Sequence, residues 1–481
     1  MAGWTSDLNL LLEERDVLRD QGAVIPHDLA ERIAGLHPVA DAWNRARIDP
    51  LYDELQRLPI DPVLAAAEPN DLAAIRALRP DGPRDLGWTP DQPTLVDRLH
   101  GAWTGRATGC ALGKPVEGMG MSSADGRLVG RARIRAYLER RGDWPLRDYF
   151  SGRTIEGTDI IHCEPSWREN IAYMQPDDDI HYTLVGLGVM EKAGPNFAWD
   201  DVARFWAGHI PYSHICTAET QAILNFLNHA LPREHGKTTA CTPAFTRRFR
   251  NPYREWIGAQ IRADGWAMCA AGRPELAAEF AWRDAQWTHE RNGIYGEMLF
   301  AAIQAAAFVE SDPLRLIAIG LSEIPRDCRL ARAIHGTLAI ARTHRDWESA
   351  CAAVETLCET WQPSYGFDPA PVRGMHPVHT INNACLCVLA LIYGRMDTRD
   401  TQAIAVMCGL DTDCNGATVG TVVGAAAGRA RFRPELAAPL RDTIKPAMVG
   451  FAEVTMRDLA ERTAVQWRRV DAWVRGGRPR G

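Results

Sequence analysis

The sequence has no surplus of basic residues. Lys and Arg number 54 against 61 Asp and Glu, so the formal net charge is -7, and the pI is about 6.1. Proteins that bind nucleic acid through its phosphates carry basic patches that neutralise the backbone. A mildly acidic chain without a basic block therefore argues against nucleic acid as a partner.

The sequence also lacks long apolar runs and a basic leader. The longest uncharged stretch near the C-terminus, Cys414 to Gly428, is shorter than the roughly 20 residues that a membrane-spanning helix needs. The N-terminal residues MAGWTSDLNLLLEERD carry early acids and no basic region of the kind that opens a secretory signal. We therefore expect a soluble, cytoplasmic protein without a membrane partner.

Paired cysteines are missing as well. The chain has 12 cysteines, but none of them forms a CxxC pair, and the closest spacing is Cys385-Leu-Cys387 inside an apolar run. Structural zinc sites and disulfide frameworks use recurrent paired spacings. We interpret these cysteines as reduced, mostly buried thiols.

Helical periodicity dominates what is present, and alternating strand patterns are scarce. The 481 residues, 46% of them apolar, are enough for a large core. We predict an all-α fold with a helical N-terminal extension at 1–90, a linker rich in Pro and Gly, and one domain at 91–481. The predicted long helices include 95–112, 180–193, 254–270, 415–428 and 445–474.

Small residues recur at every fourth position in two of the predicted helices. They are Gly101, Gly105, Gly109 and Gly113 in one helix and Gly416, Gly420, Gly424 and Gly428 in the other. Glycine costs up to about 1 kcal/mol at an interior helix position, so the spacing indicates a packing requirement. Both helices are expected to lie where another backbone approaches closely.

Three adjacent acids, Asp177, Asp178 and Asp179, precede an apolar helical stripe in YMQPDDDIHYTLVGL. Acids favour helix N-termini through capping and through the helix dipole, by about 0.3–1 kcal/mol each. A cap needs only one of the three. The alternative is a site for a hard cation such as Mg²⁺, Mn²⁺ or Ca²⁺, which binds oxygen ligands.

A second acidic motif, CGLDTDCNGATVG, places Asp411 and Asp413 at the start of the later glycine-rich helix. Capping is again the simpler interpretation. Burying unpaired carboxylates costs several kcal/mol, however, so a cation or water should lie near them. Glu117, just past the end of the first glycine-rich helix, is either a solvated loop acid or a third part of the same site.

Taken together and in order, these motifs resemble the ADP-ribosylglycohydrolase family. GCALGKPVEG is similar to the family's glycine-rich helix and Glu, DDDIHYTL to its Thr-Asp-Asp-Thr motif, and CGLDTDCNG to its Gly-Gly-Asp-Thr-Asp-Thr-Asn motif. WTHERNGIYG, with Thr288 and His289, is similar to its Thr-His signature. The match covers roughly residues 95 to 430.

The resemblance implies a compact orthogonal helical bundle that holds two Mg²⁺ or Mn²⁺ ions. It places Asp177, Asp178 and Asp179 in one ligand cluster and Asp411, Asp413 and Cys414 in the other. Asp178 is then the best residue to orient the attacking water, with Glu117 as a catalytic assistant or gate. The residues predicted to contact substrate are Gly118, Ser122, Ser123, His181 and Asn415.

Several positions depart from the family pattern. Asp177 replaces a Thr or Ser hydroxyl, Cys414 replaces a ligand Thr, and Cys110 stands where many members have Asp. A neutral thiol is a poor ligand for Mg²⁺. These changes leave a metal site in place and leave the substrate open.

The resemblance implies a hydrolase that releases ADP-ribose from a modified protein or a ribosylated small molecule. One alternative is an N-riboside hydrolase acting on a free nucleotide or a biosynthetic intermediate. Another is a non-catalytic relative that binds a nucleotide, against which the five retained aspartates weigh. The sequence leaves open the acceptor linkage, the metal, the oligomeric state and the role of residues 1–90.

Overall fold

The computed structural model describes residues 3–157, 159–229, 241–366 and 371–477. Within these ranges the chain is all-α, with six two-residue strands beside the helices. The fold class predicted from the periodicity is confirmed. None of the described helices combines the length and the apolar character needed to cross a bilayer.

The N-terminal residues form short helices with a small apolar core of their own, built from residues such as Leu11, Leu18, Ile48 and Leu55. Asp side chains cap two of these helices by accepting backbone N–H bonds. The helices are α1 (Asp7–Asp20), α2 (His27–Ala34), α3 (Arg45–Gln56), α4 (Pro62–Ala67) and α5 (Leu72–Leu78).

The remaining helices surround a much larger core that extends from Ile75 to Val470. They are α6 (Gln92–Gly113), α7 (Glu117–Gly120), α8 (Gly130–Glu139), α9 (Asp178–Lys192), α10 (Trp199–His209), α11 (Ala218–His229), α12 (Pro243–Arg248), α13 (Ala263–Cys269), α14 (Pro274–Ala285), α15 (Asn292–Ala307), α16 (Pro313–Leu321), α17 (Arg329–Thr343), α18 (Trp347–Cys358), α19 (Thr380–Tyr393), α20 (Asp400–Met407), α21 (Thr412–Ala427), α22 (Pro434–Ala437) and α23 (Met456–Arg475).

The strands join loops rather than form a layer. One sheet has the order β1-β2-β4-β3, in which β2 and β4 run parallel, and β5 pairs antiparallel with β6. The first sheet ties the loop after Glu117 to the segment that precedes α19. The strands are β1 (Ser123–Ala124), β2 (Arg127–Leu128), β3 (Ser364–Tyr365), β4 (Val372–Arg373), β5 (Thr443–Ile444) and β6 (Val454–Thr455).

The two glycine-rich helices, α6 and α21, pack against each other. A Cβ atom added at Gly105 would overlap the carbonyl of Gly420, and one added at Gly109 would overlap the carbonyl of Gly416. Gly101 faces Gly424 in the same way, so the two helices run antiparallel. The close approach predicted from the glycine spacing is confirmed, and each glycine stripe proves to be the other's partner.

The antiparallel contact determines where the acidic motifs meet. Gly113, at the end of α6, lies directly against the backbone of Thr412 at the start of α21. The segment from Lys114 to Glu117 therefore begins beside the second acidic motif. Helix α9 also contacts both α6 and α21, which brings the first acidic motif to the same place.

Buried ion pairs join the N-terminal helices to the larger core. The guanidinium of Arg254 binds both carboxylate oxygens of Glu14, at 2.6 and 2.8 Å, and neither side chain is exposed. Arg329 likewise contacts Glu68 at 2.8 Å. Buried ion pairs thus attach the predicted N-terminal extension, residues 1–90, to the larger core.

Two predicted helices differ from those observed. In the predicted span 254–270 only the later part is helical, because the backbone near Trp256 pairs with His379 and Ile257 donates a hydrogen bond to Val378. The predicted helix 445–474 begins only at Met456. The residues before it form the β5–β6 hairpin, a pairing that helical periodicity alone does not reveal.

Candidate metal centre

The ends of three helices bring the predicted acids together. Possible ligand atoms of Cys110, Asp177, Asp179 and Asp413 lie within 4.8 Å of one another, and so do those of Asp411, Asp413 and Cys414. Asp413 belongs to both groups. The two acidic motifs, more than 200 residues apart in the sequence, therefore form one continuous centre.

Asp177 is the N-cap of α9. Its Oδ1 accepts the backbone N–H of Asp179 at 2.9 Å, and its Oδ2 contacts the ammonium of Lys114. Burial favours the protonated acid, but Lys114, the backbone N–H of Asp179 and His181 together hold the pKa of Asp177 below its ordinary value. One of the three adjacent acids is thus a helix cap with its own counter-ion.

Asp179 is completely buried and faces Arg106, which is also completely buried. The guanidinium donates to Oδ1 of Asp179 at 2.5 Å and to its carbonyl oxygen at 2.9 Å. On the other side, the thiol of Cys414 lies 3.3 Å from Oδ2. Burial nevertheless keeps the pKa of Asp179 raised, with Arg106 acting in the opposite direction. Arg106 is also shared with Asp264, 3.4 Å away.

Asp411 and Asp413 are buried without equivalent partners. Within the described ranges, Oδ1 of each accepts no hydrogen bond. Burial raises the pKa of Asp411, and the neighbouring Asp413 raises it further. Burial likewise raises the pKa of Asp413, as does the carboxylate of Asp177. Such groups call for a cation, since an isolated buried carboxylate is unfavourable.

Asp178 and Glu117 lie at the more open side of the centre, where both are partly exposed. Burial and the adjacent Asp177 raise the pKa of Asp178. For Glu117, at the start of α7, the carboxylate of Asp413 is the largest cause of its raised pKa, followed by burial. Both residues therefore belong electrostatically to the same centre.

The donor set fits hard divalent cations. Six carboxylates face two cationic side chains, Lys114 and Arg106, so at least four negative charges are in excess when all the acids are ionised. Two divalent ions would balance them, and carboxylate oxygens are the ligands such ions prefer. Burial raises the pKa of the Cys110 and Cys414 thiols, which therefore remain neutral and bind Mg²⁺ poorly.

A sequence profile of the ADP-ribosylglycohydrolase family matches residues 91–470, most of the chain. This chain belongs to the ADP-ribosylglycohydrolase family. The resemblance drawn from the motifs is thereby confirmed. Membership implies a hydrolase of glycosidic bonds from a typically metal-dependent family.

Comparison with individual proteins adds little to the family assignment. A solved chain from an ADP-ribosylglycohydrolase-related protein complex is 17% identical, with 78% of this chain and 99% of that chain covered and a TM-score of 0.45. A search of curated proteins finds no similar sequence.

The residues predicted to contact substrate lie in two settings. Gly118, in α7, and Ser123, in β1, are exposed, and the hydroxyl of Ser122 between them donates to the carbonyl of Met119 at 2.6 Å. A substrate contact by these three residues stays a prediction. The other two predicted residues, His181 and Asn415, are buried.

His181 and Asn415 make contacts inside the protein. Nε2 of His181 accepts the backbone N–H of Ala447 at 3.0 Å, and burial lowers the pKa of this imidazole to about 4. The amide of Asn415 donates to Asn383 at 2.8 Å, which links α21 to α19. Both residues support the walls of the centre, and a direct substrate contact by either stays a prediction.

The predicted Thr-His pair lies in a separate buried network. Oγ1 of Thr288 contacts Nδ1 of His289 at 2.8 Å and accepts a hydrogen bond from Arg262 at 2.9 Å. Arg262 also pairs with Glu219 at 2.5 Å. His289 thus takes part in core hydrogen bonding through Nδ1.

Sequence reasoning missed two residues of the centre, Arg106 and Lys114. Each carried a usable signal. Arg106 is the one basic residue within the glycine-rich stretch GAWTGRATGCALG, where a buried charge requires a partner. Lys114 directly follows that stretch, and a cation beside so many acids is itself informative.

Proposed function

We propose that this family member is a divalent-metal-dependent hydrolase that cleaves a ribosyl glycosidic bond. The favoured reaction is the release of ADP-ribose from a modified protein or a small acceptor. The observation that carries the proposal is the pair of buried carboxylates Asp411 and Asp413, beside the acids of α9, in each of which Oδ1 accepts no hydrogen bond from the described residues. Oxygen donors in excess at a helix junction are suited to cations rather than to structural capping.

The residues that would hold Mg²⁺ or Mn²⁺ are Asp178, Asp179, Asp411 and Asp413. Divalent ions bound there would polarise ribose hydroxyls and lower the pKa of a bound water. The other two predicted ligands, Asp177 and Cys414, contact Lys114 and Asp179 instead. Asp177 and Cys414 are therefore the predicted metal ligands with the least structural support.

The protein's own groups then have distinct tasks. A glycosidic bond to ribose breaks through an oxocarbenium-like transition state, which requires an oriented water and a stabilised leaving group. We assign Asp178, partly exposed beside the buried acids, the role of accepting a hydrogen bond from the attacking water. We assign Glu117, also partly exposed at the start of α7, the role of gating the centre or assisting departure of the acceptor.

The segment from Gly118 to Ser123 runs from the first turn of α7 into β1, and the backbone N–H of Gly118 and the hydroxyl of Ser123 lie at exposed positions. Such groups bind phosphate oxygens without adding a charge. We assign this segment the diphosphate of the substrate.

The test is a substrate panel with full-length protein and Mn²⁺ or Mg²⁺. Arg-linked and Ser-linked ADP-ribosyl peptides are compared with free nucleotides, and sugar release is followed by chromatography. Release of ADP-ribose that requires metal and disappears in Asp178→Ala is the expected result. Turnover confined to free nucleotides would favour the N-riboside hydrolase. If neither wild type nor Asp178→Ala releases sugar from any compound, both enzymatic functions are excluded.

A further inference from the structure

The metal centre contains an internal cation whose position is set by the glycine contact between α6 and α21. Lys114 is the first residue after α6, and its backbone N–H bonds to the carbonyl of Cys110. The preceding residue, Gly113, lies against the backbone of Thr412, so this part of the chain has little freedom to move. The lysine side chain starts between the two acidic motifs.

The ammonium of Lys114 contacts Oδ2 of Asp177 within a largely buried pair. The lysine side chain is 17% exposed and that of Asp177 is 1% exposed. A buried pair of this kind is asymmetric, since removing one partner leaves the other charge uncompensated. The other acidic groups near the ammonium include Asp413 from α21, the thiol of Cys110 from α6, Asp178 from α9 and Glu117 from α7.

The two oxygens of Asp177 are both engaged within the protein. Oδ1 accepts the N–H of Asp179, and Oδ2 accepts from Lys114. Among the described residues, Oδ1 of Asp411 and Oδ1 of Asp413 have no such partners. The centre therefore divides into carboxylates that contact a cationic side chain, Asp177 with Lys114 and Asp179 with Arg106, and carboxylates whose charge is still unbalanced.

We propose that Lys114 is a positioning residue, whose ammonium neutralises Asp177 and keeps it as the cap of α9, outside the coordination of the metal ions. The proposal rests on the metal centre of the proposed function and deepens it. Without Asp177, the ammonium would face Asp413 directly and would oppose divalent cations there. Replacing Lys114 and Asp177 together should therefore preserve Mn²⁺ binding. Replacing Asp177 alone should weaken Mn²⁺ binding, and replacing Lys114 alone should destabilise the metal-free protein.

The test is a double-substitution cycle with Lys114→Met, Asp177→Thr and the combined variant. Mn²⁺ affinity is measured by calorimetry, and thermal unfolding is measured on metal-free protein. Asp177→Thr should weaken Mn²⁺ binding roughly tenfold because the freed ammonium remains, and adding Lys114→Met should restore binding to within about threefold of wild type. Lys114→Met alone should lower the melting temperature of the metal-free protein and leave Mn²⁺ binding at least as tight as in wild type.

Two control variants separate charge pairing from general effects. Lys192→Met removes an exposed lysine at the other end of α9, and Asp312→Thr changes the exposed Asp cap of α16. Neither control should alter Mn²⁺ affinity.

The outcomes distinguish this proposal from the proposed function. If wild type binds Mn²⁺ but the combined variant is as weak as Asp177→Thr, Asp177 is itself a ligand and the Lys114 proposal is wrong. A metal-free Lys114→Met protein as stable as wild type would also overturn it. If wild type binds no Mn²⁺, the metal-dependent function fails and the proposal fails with it.

Discussion

The two acidic motifs meet at one centre, but the protein balances their charges differently. At the start of α9, Asp177 and Asp179 contact Lys114 and Arg106. At the start of α21, Asp411 and Asp413 each keep a buried oxygen that has no partner within the described residues. Similar runs of Asp at helix N-termini can thus serve as a structurally neutralised group or as an open cation site. The difference lies in which basic side chains the fold brings near.

The largest effect is expected at Asp413, the residue common to both ligand groups. Asp413→Ala removes the shared carboxylate and should reduce Mn²⁺ affinity and metal-dependent sugar release roughly 100-fold or more. Calorimetry and the chromatographic assay measure the two losses. Asp312→Ala, at the exposed cap of α16, is the control. Wild-type Mn²⁺ affinity in Asp413→Ala would mean that the motifs do not share a site.

Arg106 tests the neutralised side of the comparison. Arg106→Met would leave Asp179 and Asp264 buried without their cation, and should lower the free energy of unfolding by about 3–5 kcal/mol. Chemical denaturation of the metal-free protein measures this loss.

The control for Arg106 is Arg135→Met, which breaks exposed pairs with Glu139 and Glu348 and should leave the free energy of unfolding almost unchanged. Arg106→Lys keeps a positive charge and serves if the Met variant fails to fold. Equal losses in Arg106→Met and Arg135→Met would contradict a special role for the buried cation.

The glycine contact tests what brings the two motifs together. Gly105→Ala would place a methyl group against the carbonyl of Gly420, and should cost about 1–3 kcal/mol in unfolding free energy and weaken Mn²⁺ binding. Gly208→Ala is the matched control, because it lies exposed on α10 with no atom within 4 Å of the added methyl. That change should be neutral or stabilising by up to about 1 kcal/mol. A Gly105→Ala protein as stable as wild type would show that the close contact between α6 and α21 does not require glycine at position 105.

Glu13, which lies away from the candidate metal centre, shows how burial changes the pKa of a carboxylate. Burial raises the pKa of Glu13, on α1, to about 7. The folded state then keeps a proton that the unfolded chain loses, so stability should fall as pH rises from about 4.5 to 7.

Glu13→Gln removes this pH dependence. Its unfolding free energy should match wild type near pH 4 and exceed it by about 1–3 kcal/mol at pH 8. Thermal and chemical unfolding across this pH range measure the difference, and Glu31→Gln, at an exposed site on α2, is the control. A constant difference between Glu13→Gln and wild type at all pH values would count against a buried, protonated Glu13.

Much of the fold could be predicted from local patterns. Helical periodicity predicted the all-α class, and most helix bounds lie within a few residues of those observed. The exceptions near Trp256 and before Met456 are places where the backbone pairs with a distant or adjacent strand-like segment. Such pairing depends on the partner, which periodicity within one segment does not contain.

The clustering of the acids at the candidate metal centre was predictable from the motifs, but their individual contacts were not. The adjacent acids and the family order pointed to Asp177, Asp178, Asp179, Asp411 and Asp413. That Asp177 is the capped, neutralised member follows only from the position of Lys114. The burial of Asn415 follows from its contact with Asn383, a residue that no motif singled out.

By itself, the sequence determined the helical class, the two glycine-faced helices and the acids that begin α9 and α21. These are local properties, set by side-chain periodicity, the absence of Cβ atoms and capping preferences. Tertiary structure decided that the two glycine stripes face each other antiparallel, and so which acids meet. It also decided which carboxylates receive Lys114 or Arg106 and which remain open to a cation, because charge balance in a buried site depends on neighbours that are distant in the chain.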